Sequence, residues 1–467
     1  MQLSSIIKNH LKDASLYDKN GNKIDKKKLY DEYKAIKNFL IKNIQPNKSV
    51  AIYFERDYKY VLAFLACMDI GITFIPLNRE WPQKRIEQIL SLSQAIIIEE
   101  NDIDFTDTQE SNIFYKNNIL YIIFTSGSTG IPKGVKVKRE GFLNFLLWCD
   151  NYFKDINSND RMLLTTDFGF DIFLVDISLF LTKKLSLYIS DFKNNVFKIL
   201  YDIDKYQITV HSTVPYNYSM IMNEDVYPKA NLSSLKHIML GGARFPYNLY
   251  YAFKDKLPKC SIYNFYGPTE ATIYCSIHKL NYNEDKELYK NNVTIGKPFF
   301  NNEFLIYEDE LLIAGKQLMS EYLNNEAKTK EAIVYLNNKR YYKSGDIAFV
   351  NESGNYFIVG RKDDTIKTAG FRVNLSDIDS YILTLEYINN VATIAIDNQE
   401  GENDLIAYII VNNKDNIKIN KIKKDLREFM PAYQIPKIIK IVDEFPLNNA
   451  GKICKKTLKN NFLKDRK

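Results

Sequence analysis

Residues 119–134 read ILYIIFTSGSTGIPKG, an unbroken apolar run followed at once by glycines and hydroxyl side chains. The apolar part, residues 119–124, predicts a strand covered on both faces, because its hydrophobic residues do not alternate with polar ones. The part after it, residues 125–134, holds three glycines and four hydroxyls. Glycine lets the backbone approach a ligand closely and hydroxyls add donors, so this loop indicates a site for phosphate oxygens.

The loop does not have the pattern of a Walker A ATPase. That pattern needs Gly-Lys-Ser or Gly-Lys-Thr where a helix begins, whereas Lys133 stands between Pro132 and Gly134. The sequence therefore predicts a phosphate-binding loop of another type, and a plain surface loop is the alternative.

Similar short apolar or β-branched runs recur at residues 72–75, 207–210, 236–240 and 261–265. They end in or near glycine, proline, serine or threonine, and helical stretches separate them. Buried strands that alternate with helices predict an α/β fold with mostly parallel sheets flanked by helices. Ligands of such folds bind beyond the carboxyl ends of the strands.

The sequence pattern changes near residue 360. The segments after it predict a small, compact α+β domain. They are helices at 375–385 and 417–430 and strands at 390–397, 404–411 and 437–442. We expect a large domain over residues 1–362 and a small one over 363–467, with the charged residues 360–364 as the linker.

Composition excludes several classes of protein. The chain has 467 residues, 45% hydrophobic and 26% charged, as in an ordinary globular protein. Its 63 basic and 57 acidic residues leave a net charge of only +6, which does not indicate a nucleic-acid partner. Five isolated cysteines and four histidines show no metal-ligand spacing and no disulfide framework. No apolar run approaches about 18 residues, so we expect no membrane insertion and a cytoplasmic location.

Three further segments end predicted strands or lie in a turn: NFYGPTE (264–270), YKSGD (342–346) and PLNNAGK (446–452). Tyr266 offers a face on which a base can stack, Thr269 a hydroxyl for phosphate, and Glu270 a carboxylate for Mg²⁺. Asp346 can accept hydrogen bonds from a ribose diol. Taken singly, each has a plain alternative as a β-turn, a turn aspartate or a solvated lysine.

In order and spacing, these segments resemble the adenylate-forming superfamily, which contains acyl- and aryl-CoA synthetases, luciferases and the adenylation domains of nonribosomal peptide synthetases. The resemblance extends from about Leu29 to Leu458 and implies ATP and Mg²⁺ as cofactors. It implies an ATP-binding set consisting of Thr125, Ser126, Gly127, Ser128, Thr129, Gly130, Lys133, Asn264, Phe265, Tyr266, Gly267, Pro268, Thr269, Asp346 and Arg361. It also implies Glu270 as the metal ligand.

The resemblance further implies that the small domain is mobile and turns about a hinge at Asp363. Lys452 would be the catalytic lysine, placed between the substrate carboxylate and the α-phosphate during adenylation. After the turn, a thiol would enter near Gly370.

Asp171 stands among apolar residues in FGFDIFLVDI (168–177). A buried carboxylate is costly unless a cation or a donor meets it, and a helix cap is the plain alternative. By resemblance, this residue binds the α-ammonium of amino-acid substrates. The FDxxxxD pattern with Asp176 and the segment HSTVPY (211–216) are most similar to D-alanine–D-alanyl-carrier-protein ligases.

The resemblance also outlines the substrate pocket, whose walls would be Ile172, Val175, Leu240, Phe265, Ile273 and Ser212. These residues are mostly apolar and bulky and add no second charge, which favours a small or medium apolar side chain. Leu240 is larger than the residue that D-alanine ligases carry there, so the sequence does not identify the amino acid or its enantiomer.

The expected function is ATP-dependent activation of an amino acid as aminoacyl-AMP, with release of pyrophosphate. Transfer to the phosphopantetheine thiol of a separate carrier protein would follow. An acyl- or aryl-CoA synthetase acting on a simple carboxylic acid is the alternative, and a non-catalytic nucleotide-binding protein is a third possibility.

Overall fold

The structure is a computed structural model that describes most of the chain. The described residues are 3–125, 132–191, 195–223, 226–229, 231–289, 292–362, 365–368, 370–385, 387–398, 402–411, 418–446 and 453–465.

The regular elements alternate along the first two thirds of the chain, as the sequence predicts. The helices are α1 (Leu3–Leu11), α2 (Lys26–Asn43), α3 (Tyr58–Ile70), α4 (Gln83–Ser93), α5 (Arg139–Tyr152), α6 (Phe173–Lys183), α7 (Val196–Tyr206), α8 (Pro215–Ile221), α9 (Tyr247–Lys256), α10 (Glu284–Glu287), α11 (Glu326–Ala332), α12 (Leu375–Ile382), α13 (Ile419–Leu426) and α14 (Lys455–Lys464).

The strands fall into sheets of different kinds. They are β1 (Leu16–Tyr17), β2 (Val50–Ile52), β3 (Phe74–Pro76), β4 (Ile96–Ile98), β5 (Ile119–Thr125), β6 (Lys133–Lys138), β7 (Arg161–Leu164), β8 (Ser186–Ile189), β9 (Val210–Thr213), β10 (His237–Leu240), β11 (Ser261–Tyr266), β12 (Ser276–Lys279), β13 (Leu288–Tyr289), β14 (Asn292–Val293), β15 (Lys297–Pro298), β16 (Asn302–Tyr307), β17 (Glu310–Gly315), β18 (Ile333–Leu336), β19 (Lys339–Val350), β20 (Tyr356–Arg361), β21 (Thr365–Thr368), β22 (Phe371–Asn374), β23 (Ile388–Asp397), β24 (Asn403–Val411) and β25 (Ile438–Ile441).

Two mostly parallel sheets form the first part of the molecule. One has the order β1-β8-β7-β9-β10-β11-β12-β15 and is parallel as far as β11. The other has the order β4-β2-β3-β5-β6 and is parallel except for β6. Helix α3 is buried along almost its whole length. Its side chains are apolar nearly all round, which is typical of a helix that is covered on all sides. The predicted α/β class with parallel sheets is confirmed.

A third, antiparallel sheet carries another part of the motif set. Its order is β16-β17-β19-β18, and β20 pairs with β19. The pairing places Arg361 at the end of β20 directly opposite Asp346 on β19. The register between β17 and β19 shifts near Gly345 of β19, whose φ is 72°. This irregularity lies next to the pair.

The last part of the chain forms a separate small sheet with the order β23-β24-β25. Strand β24 pairs antiparallel with β23 and parallel with β25. One face packs on α12 and α13 through Ile378 and Ile422, and the other packs on α14 through Leu458 and Phe462. This is the α+β arrangement that the sequence predicts for the segment after residue 363.

Several predicted elements differ in their bounds from the observed ones, among them the following two. The strand expected at 207–210 begins only at Val210, because Gln207 adopts a left-handed backbone (φ 51°) that ends α7. The basic helix expected at 417–430 is regular only over Ile419–Leu426. Within the described residues, no helix has both the length and the apolar character needed to span a membrane.

Candidate active site

The hydroxyl-rich loop is anchored at both ends by paired strands. Thr125 closes β5 and pairs with Lys133, the first residue of the antiparallel β6. The Lys133 ammonium lies 5.3 Å from the centre of the Tyr322 ring. The other loop residues predicted to bind phosphate, Ser126, Gly127, Ser128, Thr129 and Gly130, lie outside the described residues.

The NFYGPTE segment begins inside β11 and turns sharply at its end. The side-chain amide of Asn264 donates to the carbonyl of Thr294 at 2.7 Å. Gly267 packs so closely on the backbone of Tyr274 that an added Cβ would lie 2.5 Å from its Cα. Pro268 then leads into a short 3₁₀ turn, Thr269–Ala271. The segment is therefore held rigidly at the carboxyl end of the strand.

Asp346 joins the end of β11 to the antiparallel sheet. The Tyr266 hydroxyl donates to its Oδ2 at 2.6 Å, and the Arg361 guanidinium donates to its Oδ1 at 2.5 Å. Each carboxylate oxygen has two lone pairs, so one acceptor position per oxygen remains for a diol. Three of the predicted nucleotide-binding residues are thus brought into one hydrogen-bonded group.

Glu270 is buried, and Tyr322 donates its hydroxyl proton to Oε1 at 2.7 Å. Among the described residues, no group of three or more histidine, cysteine, aspartate or glutamate side chains could hold a metal ion. Mg²⁺ in nucleotide enzymes is commonly held by one or two carboxylates together with substrate phosphates. A single carboxylate at Glu270 therefore fits a magnesium ion that arrives with ATP.

Asp171 lies at the start of α6 with only 6% of its surface exposed. Its Oδ2 accepts a hydrogen bond from the amide of Ile273 at 3.2 Å. Burial raises the pKa of the Asp171 carboxyl to about 6, although hydrogen bonds from the Ile273 amide and the Thr269 hydroxyl oppose this rise. No lysine, arginine or histidine in the described part of the chain forms an ion pair with it.

The helix-cap alternative for Asp171 does not match the geometry. The first turn of α6 is closed by the backbone carbonyls of Asp171 and Ile172, which accept from the amides of Leu174 and Val175. The residue at the N-cap position makes no side-chain cap. The Asp171 carboxylate points instead toward the turn after β11, where it meets Ile273.

Asp176, the second carboxylate of the FDxxxxD pattern, is fully buried. Thr166 donates its hydroxyl proton to Oδ2 at 3.1 Å, and Oδ1 has no hydrogen-bond partner among the described residues. Burial raises the pKa of the Asp176 carboxyl well above its ordinary value. Burial therefore shifts both carboxyls of the FDxxxxD pattern in the same direction.

The predicted pocket walls lie on α6 (Val175), β9 (Ser212), β10 (Leu240) and β11 (Phe265), just before α6 (Ile172) and in the turn after β11 (Ile273). Val175, Leu240 and Ile273 are almost completely buried, whereas Ile172 is partly exposed to a neighbouring cavity. Sequence reasoning missed Tyr274, whose ring stacks on Phe265 at a centroid distance of 4.8 Å. Its position directly after Ile273 could have suggested it.

Arg56 is a second residue that the sequence did not indicate. Its guanidinium donates to the carbonyls of Leu164, Thr166 and Ser190 at distances of 2.7–3.0 Å, and it lies 5.0 Å from the centre of the Phe168 ring. These carbonyls follow or end β7 and β8. Arg56 therefore fixes the backbone that leads to Asp171.

A cavity of about 950 Å³ opens beside Ile172 and reaches residues on both sides of residue 362. The β21–β22 hairpin places Gly370 so close to Val214 that an added Cβ would lie 2.6 Å from one of its methyl groups. Phe371 packs against Phe170 at 4.6 Å and stacks on Tyr433 at 3.9 Å. The predicted hinge residue Asp363 and the predicted catalytic Lys452 lie outside the described residues.

Comparison with known proteins gives consistent matches along the chain. A family model described as AMP-binding enzyme matches residues 7–111 and 96–323, and its C-terminal-domain model matches residues 377–452. The D-alanine–D-alanyl carrier protein ligase of Bacillus licheniformis is 27% identical over 448 residues, which cover 88% of each protein. Bacitracin synthase 2 of the same species is 28% identical over 89% of this chain. The chain spans only 17% of that synthase's length.

Solved structures show the same fold. The Vibrio cholerae adenylation domain AlmE, solved in complex with glycyl-adenosine-5'-phosphate, matches with a TM-score of 0.85 and 22% identity over 99% of this chain and 97% of that one. The o-succinylbenzoate CoA synthetase of Bacillus subtilis matches with a TM-score of 0.84 and 17% identity over 98% of both. At such identities the likeness concerns the fold.

Proposed function

Because the chain belongs to the AMP-binding enzyme family, as its motifs predict, and is therefore an adenylate-forming ligase, we propose that it activates an amino acid as an aminoacyl-AMP. It then passes the aminoacyl group to the phosphopantetheine thiol of a carrier protein supplied as a separate chain. The relative named as a carrier-protein ligase, which this chain matches over 88% of its length, supports the second step.

The observation that carries this proposal is the buried carboxylate of Asp171, which forms no ion pair with any described residue. A charged group taken out of water loses several kcal/mol of solvation, and this loss is unfavourable unless attraction to an opposite charge offsets it. The described residues supply a backbone amide and a hydroxyl but no cation. The α-ammonium of an amino acid would complete the pair, whereas a simple carboxylic acid would leave the carboxylate without one.

In the adenylation step, the substrate carboxylate attacks the α-phosphorus of ATP, and pyrophosphate leaves. The loop after β5 holds the phosphates, Asp346 holds the ribose diol, and Arg361 and Tyr266 orient the Asp346 carboxylate. A magnesium ion at Glu270 would offset phosphate charge. Lys452 would contact both reacting groups and stabilise the charge that shifts between them. No nucleophile from the protein is needed, so catalysis consists of positioning and electrostatics.

In the transfer step, the carrier thiol attacks the aminoacyl carbonyl, and AMP leaves. The cavity beside Ile172 supports a path for the thiol, because Gly370 and Phe371 border it from the small domain. For this step, the large domain ends at residue 362 and the small domain begins at Asp363, which acts as the hinge. Rotation about this hinge would move Lys452 out of the active site and place the β21–β22 hairpin there.

The test is amino-acid-dependent exchange of pyrophosphate into ATP, run with amino acids and with simple aliphatic and aromatic acids. We expect exchange with an amino acid, reduced at least about 100-fold in Asp171→Ala, since loss of a charged contact made in the transition state costs about 3 kcal/mol. The matched control is Asp202→Asn, a buried aspartate paired with Lys198 and Ser190, which should keep the wild-type substrate preference.

A simple acid that reacts as well as any amino acid, with a rate insensitive to Asp171→Ala, would contradict the proposal and favour the CoA synthetase alternative.

A further inference from the structure

Residues 271–274 form a turn between Glu270 and β12, and the backbone of this turn is strained. Thr272 and Ile273 have φ values of 55° and 67°, a left-handed conformation that β-branched residues rarely adopt. Such a conformation is unfavourable and persists only where neighbouring groups hold it. The fold must therefore supply groups that hold this turn.

The turn carries groups that the site depends on. Ile273 donates its amide hydrogen to Oδ2 of Asp171 at 3.2 Å, and Glu270, one residue before the turn, is the residue that would bind magnesium. The conformation of the turn therefore sets where this amide and this carboxylate lie. A displacement of about 1 Å in an active site can reduce a rate about 100-fold.

Gln317, in the loop after β17, holds the turn directly. Its side chain is completely buried. Its Nε2 donates to three carbonyl oxygens of the turn, those of Tyr274 at 2.6 Å, Thr272 at 3.0 Å and Ala271 at 3.3 Å. The Thr272 hydroxyl in turn donates to the backbone carbonyl of Gln317 at 2.5 Å. One residue therefore binds the beginning, the middle and the end of the turn.

Gln317 is itself held from the opposite side. Its Oε1 accepts from the side-chain amide of Asn302 on β16 at 2.6 Å and from that of Asn144 on α5 at 3.1 Å. Three carbonyls thus face the nitrogen and two amide donors face the oxygen, so only this orientation of the amide satisfies all five groups. In addition, the amide of Met319 donates to the carbonyl of Glu270 at 2.7 Å.

We propose that Gln317 is a positioning residue for adenylation, which holds the left-handed turn 271–274 and thereby keeps the Ile273 amide and the Glu270 carboxylate in their working positions. Because Gln317 is completely buried, it acts through the turn and does not touch a substrate. The part that concerns Ile273 rests on the proposed function, since it assumes that Asp171 meets the substrate.

The experiment measures kcat by pyrophosphate exchange, with the acid that the wild type activates, in Gln317→Met and in Gln317→Met combined with Thr272→Gly. Methionine has nearly the same length as glutamine but donates no hydrogen bond, so we expect kcat to fall at least about 10-fold. Glycine adopts the left-handed conformation readily, so the second change should raise kcat again by about 3-fold or more. A residue that only stabilised the core would show no such rescue.

The matched control is Asn38→Leu. Asn38 is also a buried amide, and it donates to the carbonyls of Asp107 and Gln109 at 3.1 and 2.9 Å, in a segment that contributes no residue to the site. We expect this variant to unfold at a lower urea concentration, as Gln317→Met does, and to keep the wild-type kcat. Hydrogen exchange measured by mass spectrometry should show reduced protection of the Ile273 amide in Gln317→Met and unchanged protection in the control.

A wild-type kcat in folded Gln317→Met, or a loss that Thr272→Gly does not reduce, overturns the proposal. If Gln317→Met does not fold, Asn302→Ala decides, because Asn302 is partly exposed and its loss removes one donor to Oε1. This variant should lower kcat by about 3-fold, and an unchanged kcat with unchanged protection of Ile273 overturns the proposal. Wild-type exchange with simple acids and with no amino acid would instead show that the proposed function fails, while the effect of Gln317 is still measured in that reaction.

Discussion

Asp171 is the residue whose ionisation should control amino-acid activation. Burial raises the pKa of its carboxyl to about 6, and only the ionised form can pair with an ammonium group. We therefore predict that kcat/KM for the amino acid falls about tenfold per pH unit below pH 6. Exchange rates measured from pH 5 to 8 check this, with Asp171→Asn expected to be slow and nearly flat over the range. A wild-type rate that is constant down to pH 5 would contradict it.

The same residue should cost folding stability at neutral pH. Its folded-state pKa lies above the ordinary value of 3.8, so the folded chain holds the proton more tightly than the unfolded chain. Stability therefore falls as pH rises through the window from about 4 to 6. We predict that Asp171→Asn is more stable than the wild type at pH 8 by about 1–3 kcal/mol and nearly equal to it at pH 4. Urea denaturation at both pH values measures the difference, and a variant less stable at pH 8 would refute it.

At the scale of elements, Arg56 ties the ends of β7 and β8 to the loop after β2. Arg56→Met would leave three backbone carbonyls without their donor, and we predict a loss of about 3 kcal/mol or more in the free energy of unfolding. We also expect a higher KM for the amino acid, because the segment leading to Asp171 loses its anchor. The control is Arg79→Met, since Arg79 is exposed and pairs with Glu99, and it should cost less than about 1 kcal/mol. Equal losses in both variants would contradict this role.

The elements that the sequence predicted well are those whose signal is local. An apolar run that ends in glycine and hydroxyl residues identifies β5 and its loop without knowledge of any other segment. The start of β9 was misplaced because nothing in the sequence marks the left-handed turn at Gln207. Arg56 was missed because its role depends on packing between segments that are distant along the chain. The carbonyls that Arg56 binds lie 108 to 134 positions away along the chain.

At the scale of the whole molecule, two exposed ion pairs join the described residues after residue 363 to the larger part. Arg244 pairs with Asp397 at 3.2 Å, and Lys84 pairs with Glu428 at 3.3 Å, all of them substantially exposed. Exposed pairs contribute at most about 1 kcal/mol each. These two ion pairs therefore contribute little to the observed arrangement, in which Phe371 also packs against Phe170 at 4.6 Å.

Under the proposed function, these two ion pairs predict different effects on the two half-reactions. Arg244→Glu combined with Lys84→Glu should slow transfer of a preformed aminoacyl-AMP to the carrier thiol by about 2- to 5-fold, because each exposed pair of opposite charges becomes a pair of like charges. Adenylation should be unchanged.

Lys452→Ala should do the reverse and slow adenylation by at least about 100-fold while sparing transfer. Rapid-quench assays of each half-reaction measure both variants. Equal losses in both steps for either variant would contradict the exchange of two arrangements.

The most direct measurement is a crystal structure of the wild type with a non-hydrolysable aminoacyl sulfamoyl adenosine bound. We predict that the amine of the ligand lies within about 3 Å of the Asp171 carboxylate, the usual length of a charge-assisted hydrogen bond. A carboxylate turned away from the amine and held only by backbone amides such as that of Ile273 would contradict it.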